Sequence, residues 1–363
     1  MSRRPTRSVK AGSLGIGSDF PVTIQTMTNV PLADVRGTLE QIERCAALGC
    51  DIIRAAVDDE RAEKALPEVI KNSTIPLVAD IQFHSDSALA AIEAGIAGVR
   101  LNPGLLRDEE KLARIAAAAV AHDTCIRVGA NGGSVDPAAL KANLAKFPSF
   151  EEAMADLLCS SALAQCEALE KYGVRNIKVA LKSSSIPVTL ASYRRFAAET
   201  DYPLHLGLTE SGTPLRGSIK SAVVLSTLLS EGIGDTIRVS LTDDPVHEIE
   251  AGQNILRALG LYNGGFYNIV SCPTCGRTSI DLISICKSIE ERLATFPKPS
   301  QKINVAVMGC VVNGPGEAKE ADVGIAGGNG EAILFKKGQI IRKIKEENIV
   351  NELINEIVNL DIE

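Results

Sequence analysis

The chain has 363 residues, of which 45% are hydrophobic and 23% are charged, and its formal net charge is -7 at pH 7. This length suits one large domain with a smaller one, and no apolar run approaches the length of a membrane span. The acidic balance, the aromatic content of 4% and the absence of Trp argue against nucleic-acid binding and base-stacking platforms. We therefore expect an aliphatic core, with no membrane and no nucleic acid as partner.

The cysteine content and the amino terminus indicate the compartment. Nine cysteines, an odd number, occur in a chain whose first ten residues are basic and polar instead of apolar. Neither feature is typical of a secreted, disulfide-linked protein. We expect free cysteines and a cytoplasmic location.

From Pro21 to about Gly260 one pattern recurs, in which a short β-type run is followed by an amphipathic stretch of helical length. This alternation implies a parallel sheet, and eight units fit a closed (β/α)8 TIM barrel, of class α/β, over residues 1–262. An open doubly wound sheet would carry G-x-G-x-x-G after its first strand, where this chain has Thr28-Asn29-Val30-Pro31. The predicted strands are Val22 to Met27, Asp51 to Val57, Pro76 to Phe83, Gly98 to Asn102, Cys125 to Ala130, Asn176 to Leu181, Leu204 to Thr209 and Thr236 to Leu241.

Basic residues interrupt the predicted strands, where aliphatic residues are usual. Because a strand alternates its faces, Arg100 shares a face with Asn102, and Arg127 shares one with Asn131, toward the carboxyl ends where barrel enzymes place their sites. One such cation alone could pair with a nearby acid. A converging set repels itself unless an anion fills the space, which predicts a phosphate or diphosphate substrate. The cations are Arg54, Arg100, Arg127, Lys178 and Arg238, with Lys182 just beyond its strand.

Two further side chains at strand ends are candidates for acid/base chemistry. His84 follows the third predicted strand, and Glu210 follows the seventh. Both have simpler explanations, since His84 could lie beside a helix N-cap and Glu210 could pair with an arginine.

After about Leu261 the repeat ends, and residues 263–363 are predicted to form a small α+β domain. A strand leads into Cys272-Pro273-Thr274-Cys275, and a second strand, Ile303 to Met308, leads to Cys310. The remaining predicted elements are a helix from about Ser279 to Ala294, a hairpin of Ala321 to Ile325 with Ala332 to Phe335, and a helix from Glu347 to Leu360.

Cys272, Cys275 and Cys310 stand beside Pro and Gly, where turns can aim three thiolates at one point, as zinc or an iron–sulfur cluster requires. No His and only one other Cys follows Cys275, so a fourth ligand must be a carboxylate such as Glu317, a substrate or a residue from elsewhere, which favours the cluster over zinc. The other six cysteines lie in apolar patterns and are predicted to be buried hydrophobes. They are Cys45, Cys50, Cys125, Cys159, Cys166 and Cys286.

Two long motifs, Ser271 to Thr278 (SCPTCGRT) and Val305 to Ala318 (VAVMGCVVNGPGEA), resemble those of the 4-hydroxy-3-methylbut-2-enyl diphosphate synthase family of the non-mevalonate pathway of isoprenoid (terpenoid) biosynthesis. Gly260 and Cys272 are twelve positions apart, which leaves no room for the large insertion of some members and indicates the short, two-domain bacterial form. The resemblance spans the whole chain and continues through Gln25 to Asn29, Arg100 to Gly104, Arg127 to Asn131, His205 to Gly212 and Ser230 to Leu241.

The resemblance implies an oxidoreductase whose barrel binds 2-C-methyl-D-erythritol 2,4-cyclodiphosphate and whose second domain carries a 4Fe-4S cluster. It implies that Cys272, Cys275 and Cys310 bind three irons and that Glu317 completes the fourth. The implied reaction is a reductive ring opening and dehydroxylation that gives 4-hydroxy-3-methylbut-2-enyl diphosphate and water, with electrons from ferredoxin or flavodoxin. It further implies a homodimer in which the cluster of one subunit covers the barrel of the other, so that the active site is shared.

By the same resemblance, Glu210 is a proton donor or base, and we hypothesise that Glu317 yields its place to substrate. The segment Asn29 to Leu32 differs from the Thr-rich version of many members, so the resemblance does not fix the role of the loop Thr28 to Leu32. Two alternatives are a sugar-phosphate lyase or isomerase barrel with a structural metal, and a non-enzymatic iron–sulfur carrier. The expected substrate-binding residues are the six strand cations together with His84, Asn102, Asn131 and Asn313.

Overall fold

The computed structural model describes residues 2–82, 84–101, 108–310 and 320–360. The chain divides into two compact units, residues 1–262 and 263–363. No helix in the described part of the chain is both long and apolar enough to cross a membrane.

The first unit is a barrel of eight parallel strands in chain order, which confirms the predicted fold class. The strands are β3 (Thr23–Met27), β4 (Ile52–Ala56), β5 (Leu77–Ile81), β6 (Gly98–Leu101), β7 (Cys125–Asn131), β8 (Ile177–Lys182), β9 (His205–Leu206) and β10 (Thr236–Ile237). The sheet runs in the spatial order β8-β7-β6-β5-β4-β3-β10-β9, and a parallel bridge between Val179 and Leu204 joins β8 to the start of β9 and closes it.

Helices follow every barrel strand and cover the outside of the sheet with aliphatic side chains. Their starts are encoded locally, since Asp34, Asp59, Asp108, Ser149 and Ser185 each accept a hydrogen bond from a backbone N–H in the first turn. The helices are α1 (Val35–Ala47), α2 (Glu60–Asn72), α3 (Ser85–Glu93), α4 (Glu109–Ala121), α5 (Pro137–Leu144), α6 (Phe150–Lys171), α7 (Ile186–Glu199), α8 (Pro214–Ser230) and α9 (Pro245–Ala258).

An amino-terminal hairpin, which the sequence did not predict, precedes the barrel. Its strands β1 (Val9–Ala11) and β2 (Leu14–Ile16) pair antiparallel. Their buried side chains pack with Ile52, Val78 and Cys125, which stand near the starts of β4, β5 and β7. These three residues share a face with Arg54, Asp80 and Arg127, so the hairpin covers the inside of the barrel at its amino-terminal end.

The second unit is a five-stranded mixed sheet with helices, as predicted, plus one strand that was not predicted. Its core contains Val305, Val307 and Ile325 from the sheet together with Ile289 and Leu353 from the helices. The final strand, β15, was missed because most of its side chains are exposed. The elements are β11 (Phe266–Ser271), α10 (Leu282–Ala294), β12 (Lys302–Met308), β13 (Val323–Gly327), β14 (Glu331–Lys336), β15 (Gln339–Lys345) and α11 (Ile349–Leu360).

Candidate active site

A polar cavity of about 190 Å³ opens at the carboxyl ends of the barrel strands. Its lining combines five basic side chains with one carboxylate, and all five were among the six cations singled out from the sequence. The lining residues are Arg54, Asp80, Gln82, Arg100, Arg127, Gly129, Asn131, Ala180, Lys182, Thr209, Arg238 and Ser240.

Strand register places four charged groups in one row across β5 to β8. Asp80 pairs with Arg100, Arg100 with Arg127, and Arg127 with Lys178, so all four side chains leave the sheet on the same face. Each residue is at most 8% exposed. Such a row of buried cations is rare in a parallel sheet, whose strands are usually apolar.

Asp80 is the counter-ion of this row, and the sequence analysis did not single it out. Its carboxylate accepts a hydrogen bond of 3.0 Å from Arg100 Nη1 and lies 3.6 Å from Arg54 Nε. Burial alone would raise the pKa of Asp80, but Arg54, Arg100 and Arg127 outweigh it, and the pKa is lowered. Asp80 is therefore charged at neutral pH and offsets part of the repulsion among the arginines.

The two buried lysines are disfavoured in their charged form by burial and by the neighbouring arginines. Burial, followed by the charges of Arg127 and Arg54, lowers the pKa of Lys178 to about 8. Burial, followed by Arg127, Arg238 and Arg54, lowers the pKa of Lys182 well below its ordinary value. Positive charge is thus costly in this space, and a bound anion would relieve the cost.

Several cationic nitrogen atoms around the cavity are buried and have no hydrogen-bond partner among the residues that the structure describes. They include Nε of Arg100, Nε and Nη1 of Arg127, and Nζ of Lys178. Buried N–H groups are normally paired, so donors left over on three neighbouring strands indicate a site shaped for an acceptor-rich ligand.

Glu248, on the first turn of α9, is a second buried acid that the sequence analysis missed. Its carboxylate accepts hydrogen bonds from Arg238 Nε at 3.1 Å, from Thr26 Oγ1 at 2.6 Å and from the backbone N–H of Leu241 at 3.0 Å. It thereby fixes one of the cavity arginines from outside the cavity lining.

His205 on β9 is the third missed residue. It is 0% exposed, and neither ring nitrogen has a hydrogen-bond partner within the described part of the chain. Burial, followed by Lys182 and Arg127, lowers its pKa well below the ordinary value, so the ring is neutral at pH 7. A histidine inside a run of strand residues was the available signal.

The other predicted barrel residues lie in different places. Lys178 is on the inward face of β8, two residues before Ala180, and lies outside the cavity lining. His84 is the exposed N-cap residue of α3, and its side chain makes no capping hydrogen bond. Glu210 is exposed and follows Thr209 of the lining. Asn102 lies outside the described residues.

Glu210 has an unusual backbone conformation. Its φ is +56°, in the left-handed region that a residue with a Cβ rarely occupies. Such strain persists where the surrounding structure or a function requires it. The conformation therefore makes Glu210 a candidate functional residue, although its side chain is not part of the cavity lining.

In the second unit, Cys272 and Cys310 follow neighbouring parallel strands. Ser271, the last residue of β11, pairs with Val307 near the end of β12, so both loops leave the same edge of the sheet. The backbone N–H of Gly309 donates a hydrogen bond of 3.2 Å to Cys272 Sγ. The two loops that carry the predicted ligands are therefore in direct contact.

The close approach of these two loops requires a glycine at position 309. A Cβ at this position would lie 2.9 Å from Thr278 Cγ2, too close for a real side chain. Thr278 in turn accepts a hydrogen bond of 3.1 Å from the backbone N–H of Cys275. The glycine thus lets the turn before Cys310 lie against the Cys272–Cys275 segment.

The three thiols range from buried Cys310 to exposed Cys275. The pKa of Cys275 is lowered, first by a hydrogen bond from the backbone of Arg277, which favours the thiolate. Three free thiols on touching glycine-containing loops, with N–H groups aimed at sulfur, are the donor set that an iron–sulfur cluster uses. Asn313 and Glu317 lie outside the described residues.

Within the described ranges, no three His, Cys, Asp or Glu side chains converge on a site for a single metal ion. All nine cysteines are free. Of the six predicted to be buried, five are, and Cys286 on α10 is half-buried against the core of the second unit.

Comparisons with known proteins agree with both units. Residues 6–253 match the family described as the GcpE TIM-barrel domain, and residues 268–359 match the GcpE protein C-terminal domain.

Curated proteins similar to the chain match it along its length. A protein of Clostridium tetani (strain Massachusetts / E88) is 49% identical over 360 residues, which cover 99% of this chain and 100% of that protein. A protein of Desulfotalea psychrophila (strain LSv54 / DSM 12343) is 46% identical, with 100% and 98% covered. Both are named 4-hydroxy-3-methylbut-2-en-1-yl diphosphate synthase (flavodoxin).

Solved structures are similar in fold alone. N-acetylneuraminic acid synthetase from Leptospira borgpetersenii serovar Hardjo-bovis has a TM-score of 0.50 at 12% identity and covers 80% of this chain and 98% of its own. Dihydropteroate synthase from Xanthomonas albilineans has a TM-score of 0.50 at 15% identity, with 71% and 100% covered.

Proposed function

Because the chain belongs to the GcpE family of 4-hydroxy-3-methylbut-2-en-1-yl diphosphate synthases, it is an oxidoreductase of isoprenoid biosynthesis, and we propose which of its residues carry out the reaction. The reaction opens the ring of 2-C-methyl-D-erythritol 2,4-cyclodiphosphate reductively, removes a hydroxyl group as water and leaves the allylic diphosphate. Similar proteins are named for flavodoxin, and we therefore propose flavodoxin as the electron donor within the expected choice of ferredoxin or flavodoxin. Family membership sets aside the lyase or isomerase and the carrier alternatives.

We infer that the cavity at the carboxyl ends of the barrel strands binds the diphosphate. The observation that carries this inference is the convergence of five basic side chains on one cavity, with unpartnered N–H groups on Arg100 and Arg127. Arginine guanidiniums bind phosphoryl oxygens through paired hydrogen bonds. Lys178 adds positive charge from within the barrel, and Asp80 keeps the arginines in place before substrate arrives. We assign the orientation of the substrate to Asn131, which lines the cavity, and to His84. Asn102 and Asn313 receive the same proposed role and lie outside the described residues.

The chain is an iron–sulfur enzyme, and the cluster type is part of our proposal. We assign a 4Fe-4S cluster to Cys272, Cys275 and Cys310, with Glu317, outside the described residues, as the remaining ligand. The contact between Gly309 N–H and Cys272 Sγ supports this assignment, because hydrogen bonds to sulfur tune such clusters. When bound, the cluster supplies electrons singly from the flavodoxin.

We assign the proton transfer to Glu210, which follows Thr209 of the cavity lining. Loss of a hydroxyl group as water consumes a proton at that oxygen. Glu210→Gln keeps the size of the side chain but cannot donate that proton, so the cluster content should stay normal while kcat falls at least tenfold. A kcat equal to that of the unaltered enzyme would end the acid/base assignment.

We also propose a homodimer with a shared active site and a cytoplasmic location, both from the resemblance of the motifs. Sedimentation at several protein concentrations tests the dimer. Mixing a Cys310→Ser subunit with a Glu210→Gln subunit tests the sharing, because mixed dimers would regain one intact site. Activity no greater than the sum of the two parents would contradict a shared site.

The experiment that tests the cluster is anaerobic purification followed by iron and sulfide analysis, with spectra recorded before and after addition of the cyclodiphosphate. We expect about four irons and four sulfides per chain. Cys272→Ala should lose the metal, whereas Cys286→Ala, on the neighbouring helix, should retain it. Stoichiometric zinc would overturn the cluster, and a Glu317→Ala variant with full turnover would remove Glu317 from the mechanism.

A further inference from the structure

The arginine at the end of β10 is held by a carboxylate that stands outside the substrate cavity. Arg238 lines the cavity, but its Nε and Nη2 donate to Glu248 at 3.1 and 3.3 Å. Glu248 itself is 5% exposed and is not part of the cavity lining. The pair thus joins a cavity residue to the first turn of α9.

Glu248 is fixed on every side. Besides Arg238, its two oxygens accept hydrogen bonds from Thr26 Oγ1 on β3 at 2.6 Å and from the Leu241 N–H at 3.0 Å. Its place in the first turn of α9 further favours the negative charge, because helix amino termini carry partial positive charge. A carboxylate with this many donors cannot rotate to follow a moving arginine.

The guanidinium geometry shows what this rigidity achieves. Glu248 occupies the Nε and Nη2 edge of Arg238. The remaining nitrogen, Nη1, lies 3.9 Å from Met27 Sδ, and a thioether sulfur is a weak acceptor. Nη1 is therefore the part of the arginine that an anion in the cavity can take over at little cost.

We propose that Glu248 is a positioning residue: its carboxylate holds Arg238 so that Nη1 of the guanidinium faces the bound diphosphate. This rests on the proposed binding of the diphosphate in the barrel cavity. A freely rotating arginine would lose side-chain entropy on binding, whereas a clamped one is already in place.

Two other roles for Glu248 lead to different outcomes. If it only neutralised charge, its removal would make the cavity more positive and tighten anion binding. If it only joined β3 to α9, its loss would lower thermal stability without a selective effect on substrate affinity. Positioning alone predicts that substrate affinity depends on the length of the acidic side chain as well as on its charge.

The test measures kcat, KM for the cyclodiphosphate and inhibition by inorganic diphosphate in the holoenzyme. Glu248→Gln should raise KM and the inhibition constant about tenfold, the loss expected for one charged hydrogen bond, with a smaller change in kcat. Glu248→Asp keeps the charge but withdraws it by one methylene, and it should raise both constants as well. If Glu248→Gln does not fold, the Asp variant decides alone.

A matched control and a double variant complete the design. Glu231 forms a two-bond pair with Arg194 on the outside of the barrel, at 2.9 and 2.6 Å, so Glu231→Gln should leave KM unchanged. Glu248→Gln should add little to the defect of Arg238→Gln, because both act through the same guanidinium.

The outcomes separate the two levels of inference. A wild-type KM in Arg238→Gln would overturn the diphosphate site itself. A raised KM in Arg238→Gln combined with a wild-type KM in Glu248→Asp, or a lowered KM in Glu248→Gln, would overturn the positioning role alone.

Discussion

Gly207, just beyond β9, gives the sharpest test of the cavity. A Cβ added there would lie 2.6 Å from Lys182 Nζ and 2.7 Å from the carbonyl oxygen of Arg238. The lysine head can move, but the backbone carbonyl cannot move without shifting the end of β10. We expect Gly207→Ala to displace the Lys182 amino group and to shift the backbone at Arg238.

The magnitude follows from these contacts. Loss of one charged hydrogen bond to the substrate costs about 1.5 to 3 kcal/mol, which corresponds to roughly 10- to 160-fold in affinity. Overpacking of a tightly filled site adds about 1 to 3 kcal/mol of lost stability. We therefore expect a KM raised at least tenfold together with a lowered Tm.

The assay is steady-state turnover with reduced flavodoxin and varied cyclodiphosphate, with Tm measured on the same reconstituted samples. Gly252→Ala is the matched control, because a Cβ there lies 3.5 Å from Ile24 Cγ2, an ordinary contact, on the outer side of the barrel. Its KM should match that of the unaltered enzyme, and its helix should be no less stable.

Two results would refute the reasoning about Gly207. A KM for Gly207→Ala equal to that of Gly252→Ala would mean that Lys182 does not contact the substrate. An unchanged Tm would mean that the backbone beyond β10 moves aside without loss of stability, despite the 2.7 Å approach to the Arg238 carbonyl oxygen.

Two further predictions concern pH and stability. The pKa of Lys178, about 8 in the free site, must rise when an anion binds, so affinity for the cyclodiphosphate should fall as pH rises through 8, and Lys178→Met should flatten that profile. Folding lowers this pKa, so between about pH 8 and the ordinary lysine pKa the folded chain binds fewer protons than the unfolded chain. The destabilisation of the fold by charged Lys178 is therefore greatest below pH 8, and Lys178→Met should raise Tm at pH 7. Arg3→Ala removes the 2.5 Å ion pair with Asp235, which is 1% exposed, and should lower the free energy of unfolding by about 3 kcal/mol in thermal or urea denaturation without changing KM.

The barrel could be predicted because its pattern is local. Apolar runs and helical stretches alternate eight times, and each predicted strand overlaps an observed one. The seventh and eighth were predicted too long, since β9 and β10 pair over only two residues each and end before Gly207 and Arg238. Pattern identifies an element more reliably than it identifies the point at which the ladder ends.

The cationic side chains could be found because charge inside an apolar strand is conspicuous. Their counter-ions were harder to identify. Glu248 lies in a charged helical segment that reads as a solvated face, and only the fold brings it against Arg238. Asp80 stands within a strand run, but its value as a partner depends on Arg100 twenty positions away.

The amino-terminal hairpin was missed for a similar reason. Its two strands have three residues each, and the side chains that they cover belong to distant strands. A short run of this kind carries too little periodicity to be distinguished from a loop.

The amino-terminal hairpin closes one end of the barrel and leaves the opposite end open to a ligand. Val9, Ala11 and Ile16 pack at this amino-terminal end, so a solvent path to the buried Lys178 along the barrel axis has to run through the mouth where the arginines lie. The diphosphate that we propose to bind at that mouth would cover this path. Proton exchange between Lys178 and bulk water should consequently be slower in the substrate complex than in the free enzyme.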